Sequence, residues 1–184
     1  MNKFERQGAI LRLVGERELS TQSDVVEALR DEGLDVRLVL LERRPNREVR
    51  DALRTADVVA EQFLVGYGLL AVEAMASGAA VISNLGWLPE DVRRHPAIVD
   101  SPIVDANPET LTDRLRELVI DPERRARLGT LGREYVMRWH SDTAAAATWR
   151  SIVDAVWAGS PLPEQSAAQS SATMVVPPDR HEPG

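Results

Sequence analysis

Two glycines, Gly66 and Gly68, lie in a turn that leads directly into a helix predicted over residues 69–77. Glycine lets the main chain approach a ligand closely and adopt backbone angles that other residues avoid. The first turn of a helix also offers unpaired N–H groups and a partial positive charge. This segment can therefore bind a phosphate group with main-chain atoms alone, without a basic side chain.

Glu73 is the only ionisable residue of this predicted helix. Its neighbours are almost all apolar, which predicts a helix that is buried on nearly every side. A buried carboxylate costs roughly several kcal/mol unless it is paired or hydrogen-bonded. One turn beyond a phosphate site, the two hydroxyls of a ribose would provide such a partner. The alternative interpretation is that Glu73 simply reaches solvent from a core helix.

Short apolar runs alternate with helix-forming segments on both sides of this turn. Strands that alternate with helices at this spacing form a parallel sheet with helices on both faces, which is the α/β class of fold. Sheets of this kind bind ligands at the carboxyl ends of their strands. The predicted strands are residues 9–14, 36–41, 57–60 and 79–83, with further short strands at 97–99 and 103–104.

The C-terminal third of the chain is predicted to be helical. Asn107-Pro108 and Asp121-Pro122 each combine a capping side chain with proline at the first helical position, and Ser141 can cap a last helix. From residue 159 onward the chain is rich in Pro, Ser, Gln and Ala, which is typical of a disordered tail. Residues 8–158 are therefore predicted to form one domain and residues 159–184 a tail. The apolar residues expected to pack from the last two helices are Leu128, Leu131, Tyr135, Trp139, Trp149, Ile152, Val153 and Val156.

The composition argues against several classes of function. A net charge of -7 is unfavourable for a nucleic-acid-binding protein, which needs a basic face. The chain has no cysteine, and His95, His140 and His181 are far apart in the sequence, so no metal site is expected. No apolar run reaches the roughly 18 residues of a membrane span, and the first residues lack the apolar core of a signal peptide. These features predict a cytoplasmic protein without a membrane span.

The turn and the helix after it resemble the signature of a known enzyme family. Gly66-Tyr67-Gly68, followed by Glu73-Ala74-Met75-Ala76-Ser77-Gly78, is similar to the motifs of the retaining group-1 (family 4) glycosyltransferases, which have the GT-B fold. Weaker similarity extends over roughly residues 9–157. The resemblance implies a Rossmann-like, nucleotide-sugar-binding domain that corresponds to the C-terminal half of a GT-B enzyme.

The resemblance also implies roles for individual residues. It implies that Glu73 binds the ribose of the donor, in agreement with the interpretation reached from burial. The donor is implied to be a UDP- or GDP-linked sugar, used without a cofactor or a metal. The main-chain groups implied to face the diphosphate and the sugar belong to Gly66, Tyr67, Gly68, Leu69 and Leu70.

Two positions depart from the family pattern. Val65 stands where the family has a glutamate that contacts the transferred sugar, and we hypothesise that Glu61 or Gln62 takes over part of this role. Arg17 lies where the family has a phosphate-loop arginine, but the neutral Gln22 lies near the position of a lysine. Such cations stabilise the charge that develops on the departing diphosphate. Arg17 and Glu61 are thus the predicted catalytic residues.

Three functions are compatible with these residues. The resemblance favours the donor-binding half of a glycosyltransferase of polysaccharide biosynthesis, which is expected to need a separate N-terminal acceptor domain or subunit. Val65 and Gln22 favour instead a catalytically inactive module that binds nucleotide-sugars or has a regulatory role. The third candidate function is that of a dinucleotide-dependent oxidoreductase, because residues 66–71 fit the pattern G-x-G-x-x-A. That pattern belongs after the first strand of such folds, whereas here it follows the third predicted strand.

Overall fold

The structure is a computed structural model that describes residues 22–61, residue 63 and residues 66–163. Helices make up most of this part of the chain. They are α1 (Gln22–Asp31), α2 (Asn46–Leu53), α3 (Leu69–Ser77), α4 (Glu90–Arg93), α5 (Pro96–Val99), α6 (Leu111–Ile120), α7 (Pro122–Trp139) and α8 (Asp142–Ala158), with a 3-10 turn at Leu85–Trp87.

Three short parallel strands form the sheet. They are β1 (Val58–Ala60), β2 (Ala80–Ser83) and β3 (Val104–Asp105), in the order β1-β2-β3. Val59 pairs with Val81, and Ile82 pairs with Val104. Because parallel neighbours need a crossover connection, helices lie between consecutive strands. The predicted α/β class of fold is confirmed.

The central strand β2 is buried along its whole length, since Ala80 to Ser83 are all at most 2% exposed. Successive side chains of a strand point to opposite faces of the sheet, so β2 contributes to two separate hydrophobic clusters. The cluster on one face contains Val81 with Ala71, Ala74, Met75 and Tyr135. The cluster on the other face contains Ala80 and Ile82 with Phe63, Leu111 and Leu118. Helices therefore cover the sheet on both faces, as the alternation of apolar runs predicts.

Helix α7 packs closely against the end of α3 through two glycines. A Cβ atom at Gly129 would collide with the carbonyl oxygen of Gly78, and one at Gly132 would lie 3.1 Å from the Cβ of Met75. Gly78 itself has a φ of 89° and ends α3 in the left-handed conformation, as predicted. The absence of side chains at these positions allows the two helix backbones to approach, which brings Tyr135 of α7 into the core.

Two of the predicted strands are wrong. Residues 36–41 have no regular secondary structure and pair with none of the described strands, and Val39 and Leu40 are more than half exposed. An apolar run forms a strand only where a neighbour can pair with it, and here the oxygen of Val36 accepts instead from Arg30 Nε. Residues 97–99 lie in α5, because Pro96 occupies its first turn and His95 Nδ1 accepts from the N–H of Ala97. The predicted strand at 9–14 lies outside the described residues.

The predicted helix caps are confirmed at two of three places. The side chain of Asp121 accepts from Arg124 N–H at 2.7 Å, and that of Ser141 accepts from Ala144 N–H at 3.2 Å. Asn107 Oδ1 accepts from Thr110 N–H at 2.9 Å, but this closes a turn, and α6 begins only after it. Asn or Asp followed by proline therefore predicts a turn of the chain more reliably than it predicts the residue at which a helix begins.

The predicted packing of the last helices is only partly correct. Tyr135 is buried, but Leu131 is 44% exposed because Gly129 and Gly132, rather than the leucine, face α3. The apolar stripe of α8 is exposed, with Trp149 at 67%. Helix α8 ends before Gly159, and residues 160–163 have no regular secondary structure. The assignment of residues 164–184 to a tail lies outside the described residues and stays a prediction.

We predict that Gly129→Ala lowers the free energy of unfolding by about 3 kcal/mol, because the added methyl group forces α7 away from the Gly78 carbonyl. In an exposed helix the same replacement would raise stability by about 1 kcal/mol, so the sign of the change identifies the contact. Urea unfolding followed by circular dichroism measures the effect. The neighbouring, exposed Thr130→Ala is the control and is expected to change stability by less than about 0.5 kcal/mol. A stabilised Gly129→Ala protein would contradict the proposed packing.

Candidate functional site

The glycine turn is fixed against the carboxyl end of β2. Gly66 has a φ of 77°, and a Cβ atom there would lie 2.5 Å from the side chain of Leu88. Any other residue would therefore be strained and would also collide with its neighbour. The Oγ of Ser83, which is fully buried, donates a hydrogen bond to the oxygen of Gly66 at 3.0 Å.

Asn84 makes a second link of the same kind. Its Nδ2 donates to the oxygen of Phe63 at 2.9 Å, and the residue is only 7% exposed. Buried polar side chains are stable only when they are hydrogen-bonded, so Ser83 and Asn84 fix the path of the chain that leads into the turn. Sequence reasoning did not identify this role. The available signal was a pair of polar residues, Ser83 and Asn84, where an apolar strand ends.

The first N–H groups of α3 differ in whether they have an acceptor among the described residues. Gly68 is the N-cap residue, and its N–H donates to both carboxylate oxygens of Glu61, at 2.8 and 3.0 Å. The N–H of Ala71 donates to the oxygen of Gly68. The N–H groups of Leu69 and Leu70 have no acceptor in the part of the chain that the structure describes. Two donors thus remain available at the positive end of the helix dipole.

Glu73 lies one turn further along α3. It is four residues after Leu69 and therefore on the same side of the helix, and Leu69 is 73% exposed. The opposite side carries Ala71, Ala74 and Met75 and is buried. Glu73 itself is half-buried, and its carboxylate has no hydrogen bond or ion pair to the described residues. A carboxylate without a partner among the described residues consequently lies one turn from the N-terminus of the helix.

Tyr67, the central residue of the turn, connects the turn to the core. Its hydroxyl lies 2.9 Å from the hydroxyl of Tyr135 in α7. Burial raises the pKa of Tyr135 well above its usual range, and the hydrogen bond with Tyr67 adds to this effect. Nε2 of His140 lies 3.4 Å from the same Tyr135 hydroxyl. Contact with the protein interior lowers the pKa of His140.

A cavity of about 410 Å³ lies at the carboxyl ends of β2 and β3. It is lined by Asn84, Trp87, Asp105, Asn107, Thr110 and Arg114, among others, and not by Glu73 or by the glycine turn. Its polar side chains have protein partners. Asn107 and Thr110 bond to each other, Asp105 accepts from the N–H of Leu85, and Arg114 pairs with Glu117. This cavity is separate from the helix start and is the weaker candidate site.

The structure brings several of the residues singled out from the sequence to one place. Glu61 meets Gly68 across the turn, and Leu69, Leu70 and Glu73 follow on the same helix. Their roles toward a ligand stay predictions. Arg17, Gln62 and Val65 lie outside the described residues, as does the side chain of Gln22.

The described ranges lack the features of two other kinds of site. No group of three or more His, Asp or Glu side chains lies close enough there to hold a metal ion. None of the helices in that part of the chain is both long and apolar enough to cross a membrane.

Comparisons with known proteins point to one enzyme family. No protein-family model matches the chain. It is 39% identical over 85 residues to GDP-mannose-dependent alpha-(1-6)-phosphatidylinositol monomannoside mannosyltransferase of Mycobacterium tuberculosis, a match that covers 44% of this chain and 21% of that protein. It is 36% identical over 123 residues to D-inositol 3-phosphate glycosyltransferase of Corynebacterium glutamicum, covering 65% of this chain and 28% of that protein. The chain therefore spans less than a third of the length of these relatives.

A solved structure supports the same fold. Sucrose-phosphate synthase from Thermosynechococcus elongatus superposes with a TM-score of 0.56 at 19% sequence identity, over 85% of this chain and 44% of the synthase chain. The similarity to the two curated glycosyltransferases confirms the resemblance found in the residues of the glycine turn and of α3. From the motif and these similarities together, the chain resembles the retaining group-1 (family 4) glycosyltransferases over part of their length.

Proposed function

We propose that this domain binds a UDP- or GDP-linked sugar and is the donor-binding half of a glycosyltransferase. The observation that carries the proposal is the open start of α3. There, the glycine turn leaves the N–H groups of Leu69 and Leu70 without acceptors in the described part of the chain. A diphosphate would accept from these groups and would also be stabilised by the helix dipole.

The position of Glu73 supports a ribose contact next to the diphosphate. Its carboxylate lacks a partner among the described residues and lies on the same side of α3 as the exposed Leu69. A half-buried carboxylate gains stability when neighbouring hydroxyls donate to it, and a ribose offers two of them. The relative from Mycobacterium tuberculosis is named as GDP-mannose-dependent, which supports a nucleotide-sugar as the ligand class.

Glu61 is the proposed substitute for the glutamate that Val65 replaces. Its two carboxylate oxygens lie 2.8 and 3.0 Å from Gly68 N, directly at the start of α3. An ionised carboxylate has about four lone-pair sites, so it can accept from a sugar hydroxyl while it retains the bond from Gly68. Arg17 is the proposed diphosphate contact from the phosphate loop.

The proposed chemistry consists of positioning and electrostatic stabilisation. The helix start and Arg17 would hold the diphosphate as negative charge develops on it, and Glu61 would orient the sugar for transfer with retention. No covalent intermediate on this domain is required.

An acceptor-binding domain is the proposed partner, provided either by the same polypeptide or by another subunit. The curated relatives are three to five times as long as the segments of them that match this chain, which leaves room for such a domain. Helix α8 offers an exposed apolar stripe, formed by residues at the spacing i, i+4, i+7 and i+8. The residues of the stripe are Trp149, Val153, Val156 and Trp157, which are 67, 40, 64 and 84% exposed. A stripe of this kind is typical of a docking surface between domains.

A catalytically inactive nucleotide-sugar-binding module is the second candidate. Val65 and Gln22 favour it, because each replaces a polar or charged group of the family pattern with a residue that cannot perform its role. Assays of donor hydrolysis and sugar transfer, with and without an added acceptor domain, distinguish the two candidates. Turnover that depends on the added domain supports the split enzyme. Nucleotide binding without turnover in either assay supports the inactive module.

We predict that Glu73→Gln weakens the binding of UDP or GDP by about 10-fold or more, because a charged acceptor for the ribose hydroxyls is lost. Isothermal titration calorimetry measures both nucleotides. Glu134→Gln, an exposed replacement in α7 that changes the net charge by the same amount, is the control and should bind like the unchanged protein. Equal affinity of the Glu73→Gln and unchanged proteins would eliminate the ribose contact. Absence of nucleotide binding at millimolar concentration in a folded sample would eliminate the proposed function.

We predict that Glu61→Gln weakens the binding of a nucleotide-sugar by about 10-fold and leaves the affinity for the free nucleotide nearly unchanged. The reason is that the proposed contact is to the sugar, and the glutamine oxygen can still accept from Gly68 N–H. Titrations with UDP, UDP-glucose, GDP and GDP-mannose give the ratio of the two affinities for each nucleotide. If Glu61→Gln weakened nucleotide and nucleotide-sugar by the same factor, Glu61 would serve only to shape the turn.

A further inference from the structure

The glycine turn is held at three successive residues by contacts from three different parts of the chain. The oxygen of Gly66 accepts from Ser83 at the end of β2. The N–H of Gly68 donates to Glu61, which follows β1. Between them, the side chain of Tyr67 reaches the hydroxyl of Tyr135 in α7, which is 68 residues away in the sequence. The third link is the only one of these that passes through a side chain of the turn itself.

Tyr135 is a well-anchored partner for this link. It is only 4% exposed and belongs to the cluster that contains Ala71 and Met75 of α3. Burial raises the pKa of its hydroxyl well above the usual range, so Tyr135 stays neutral in ordinary buffers. The ring of His140 packs against it with 5.3 Å between the ring centroids, and Nε2 of His140 lies 3.4 Å from the hydroxyl. The Tyr135 hydroxyl therefore has a second polar neighbour besides Tyr67.

The turn needs such a link because its backbone is intrinsically free. Glycines on both sides of Tyr67 lose more conformational freedom on folding than any other residue would. The direction in which the N–H groups of Gly68 and Leu69 point depends on the backbone angles of Tyr67 and its neighbours. A fixed Tyr67 ring restricts these angles, and the 2.9 Å hydrogen bond to Tyr135 restricts the ring.

We propose that Tyr135 is a positioning residue of the nucleotide site. Through its hydrogen bond to Tyr67 it orients the N–H groups at the start of α3, although it lies outside the turn and the helix that carry the site. The proposal rests on the proposed function in one respect, which is that the ligand binds at those N–H groups.

The test compares Tyr135→Phe, Tyr67→Phe and the double replacement, each of which keeps the aromatic ring and removes hydroxyl groups. Nucleotide affinity is measured by calorimetry with UDP and GDP. The amide signals of Gly68 and Leu69 are measured by NMR in the free protein. Ser151→Ala is the matched control, because it also removes one hydroxyl hydrogen bond, the 2.8 Å bond to the oxygen of Thr148 in α8.

Each single replacement is expected to weaken nucleotide binding by about 3- to 10-fold and to shift the amide signals of Gly68 and Leu69. The double replacement is expected to bind the nucleotide as tightly as the more weakly binding of the two single replacements. The reason is that both single replacements remove the same hydrogen bond. Ser151→Ala should change neither quantity. A merely structural role for Tyr135 predicts a lower melting temperature with unchanged affinity and unchanged Gly68 and Leu69 signals, and that result would overturn the proposal.

The same measurements separate this proposal from the proposed function. If the unchanged protein bound neither nucleotide, the proposed function would fail, and the positioning of a nucleotide site would fail with it. If the unchanged protein binds and Tyr135→Phe binds equally well, only the positioning role is overturned. Additive losses in the double replacement would also overturn it, since they would mean that the two hydroxyls act separately.

Discussion

The hydrogen bond from the buried Ser83 hydroxyl to the oxygen of Gly66 joins the sheet to the glycine turn, and the site depends on this contact. It fixes the turn at the carboxyl end of the central strand, where α/β sheets bind their ligands. Gly66 can adopt its φ of 77° without strain only because it lacks a side chain. The start of α3 is consequently held close to the carboxyl end of the sheet.

The packing of α7 against α3 also holds the glycine turn in place. Gly129 and Gly132 let α7 approach the end of α3 closely enough for Tyr135 to reach Tyr67. The buried side of α3, formed by small residues such as Ala71 and Ala74, leaves little space for the helix to shift. The side that carries Leu69 and Glu73 is the open one. A helix that is apolar almost all round can thus be a core element on one side and be open to solvent on the other.

Local signals predicted the centre of this fold well. The strands around residues 57–60 and 79–83, helix α3 and its end at Gly78 all follow from apolar runs and glycines that are close in the sequence. Residues 36–41 and 97–99 were mistaken for strands, because an apolar run does not reveal whether another strand lies beside it or whether a proline starts a helix. Contacts between distant segments could not be predicted from one sequence.

The same limit applies to the site. The glycine turn and Glu73 were singled out as candidates from residue types and from the family resemblance, and their roles stay predictions. The link of Glu61 to Gly68 and the link of Tyr67 to Tyr135 depend on the tertiary fold, so the pattern of residues contained no sign of them. The exposed stripe of α8 has the spacing of a packed helix, and the sequence does not tell whether the surface that covers it belongs to the same domain.

The central claim is that a diphosphate binds to main-chain donors at the start of α3. An NMR titration of the folded domain with UDP and with GDP tests it most directly, because each amide group reports separately. The account predicts that the largest changes fall on the N–H signals of Gly68, Leu69 and Leu70. Changes confined to Asn107 and Thr110 beside the other cavity, or no change with either nucleotide at millimolar concentration, would contradict it.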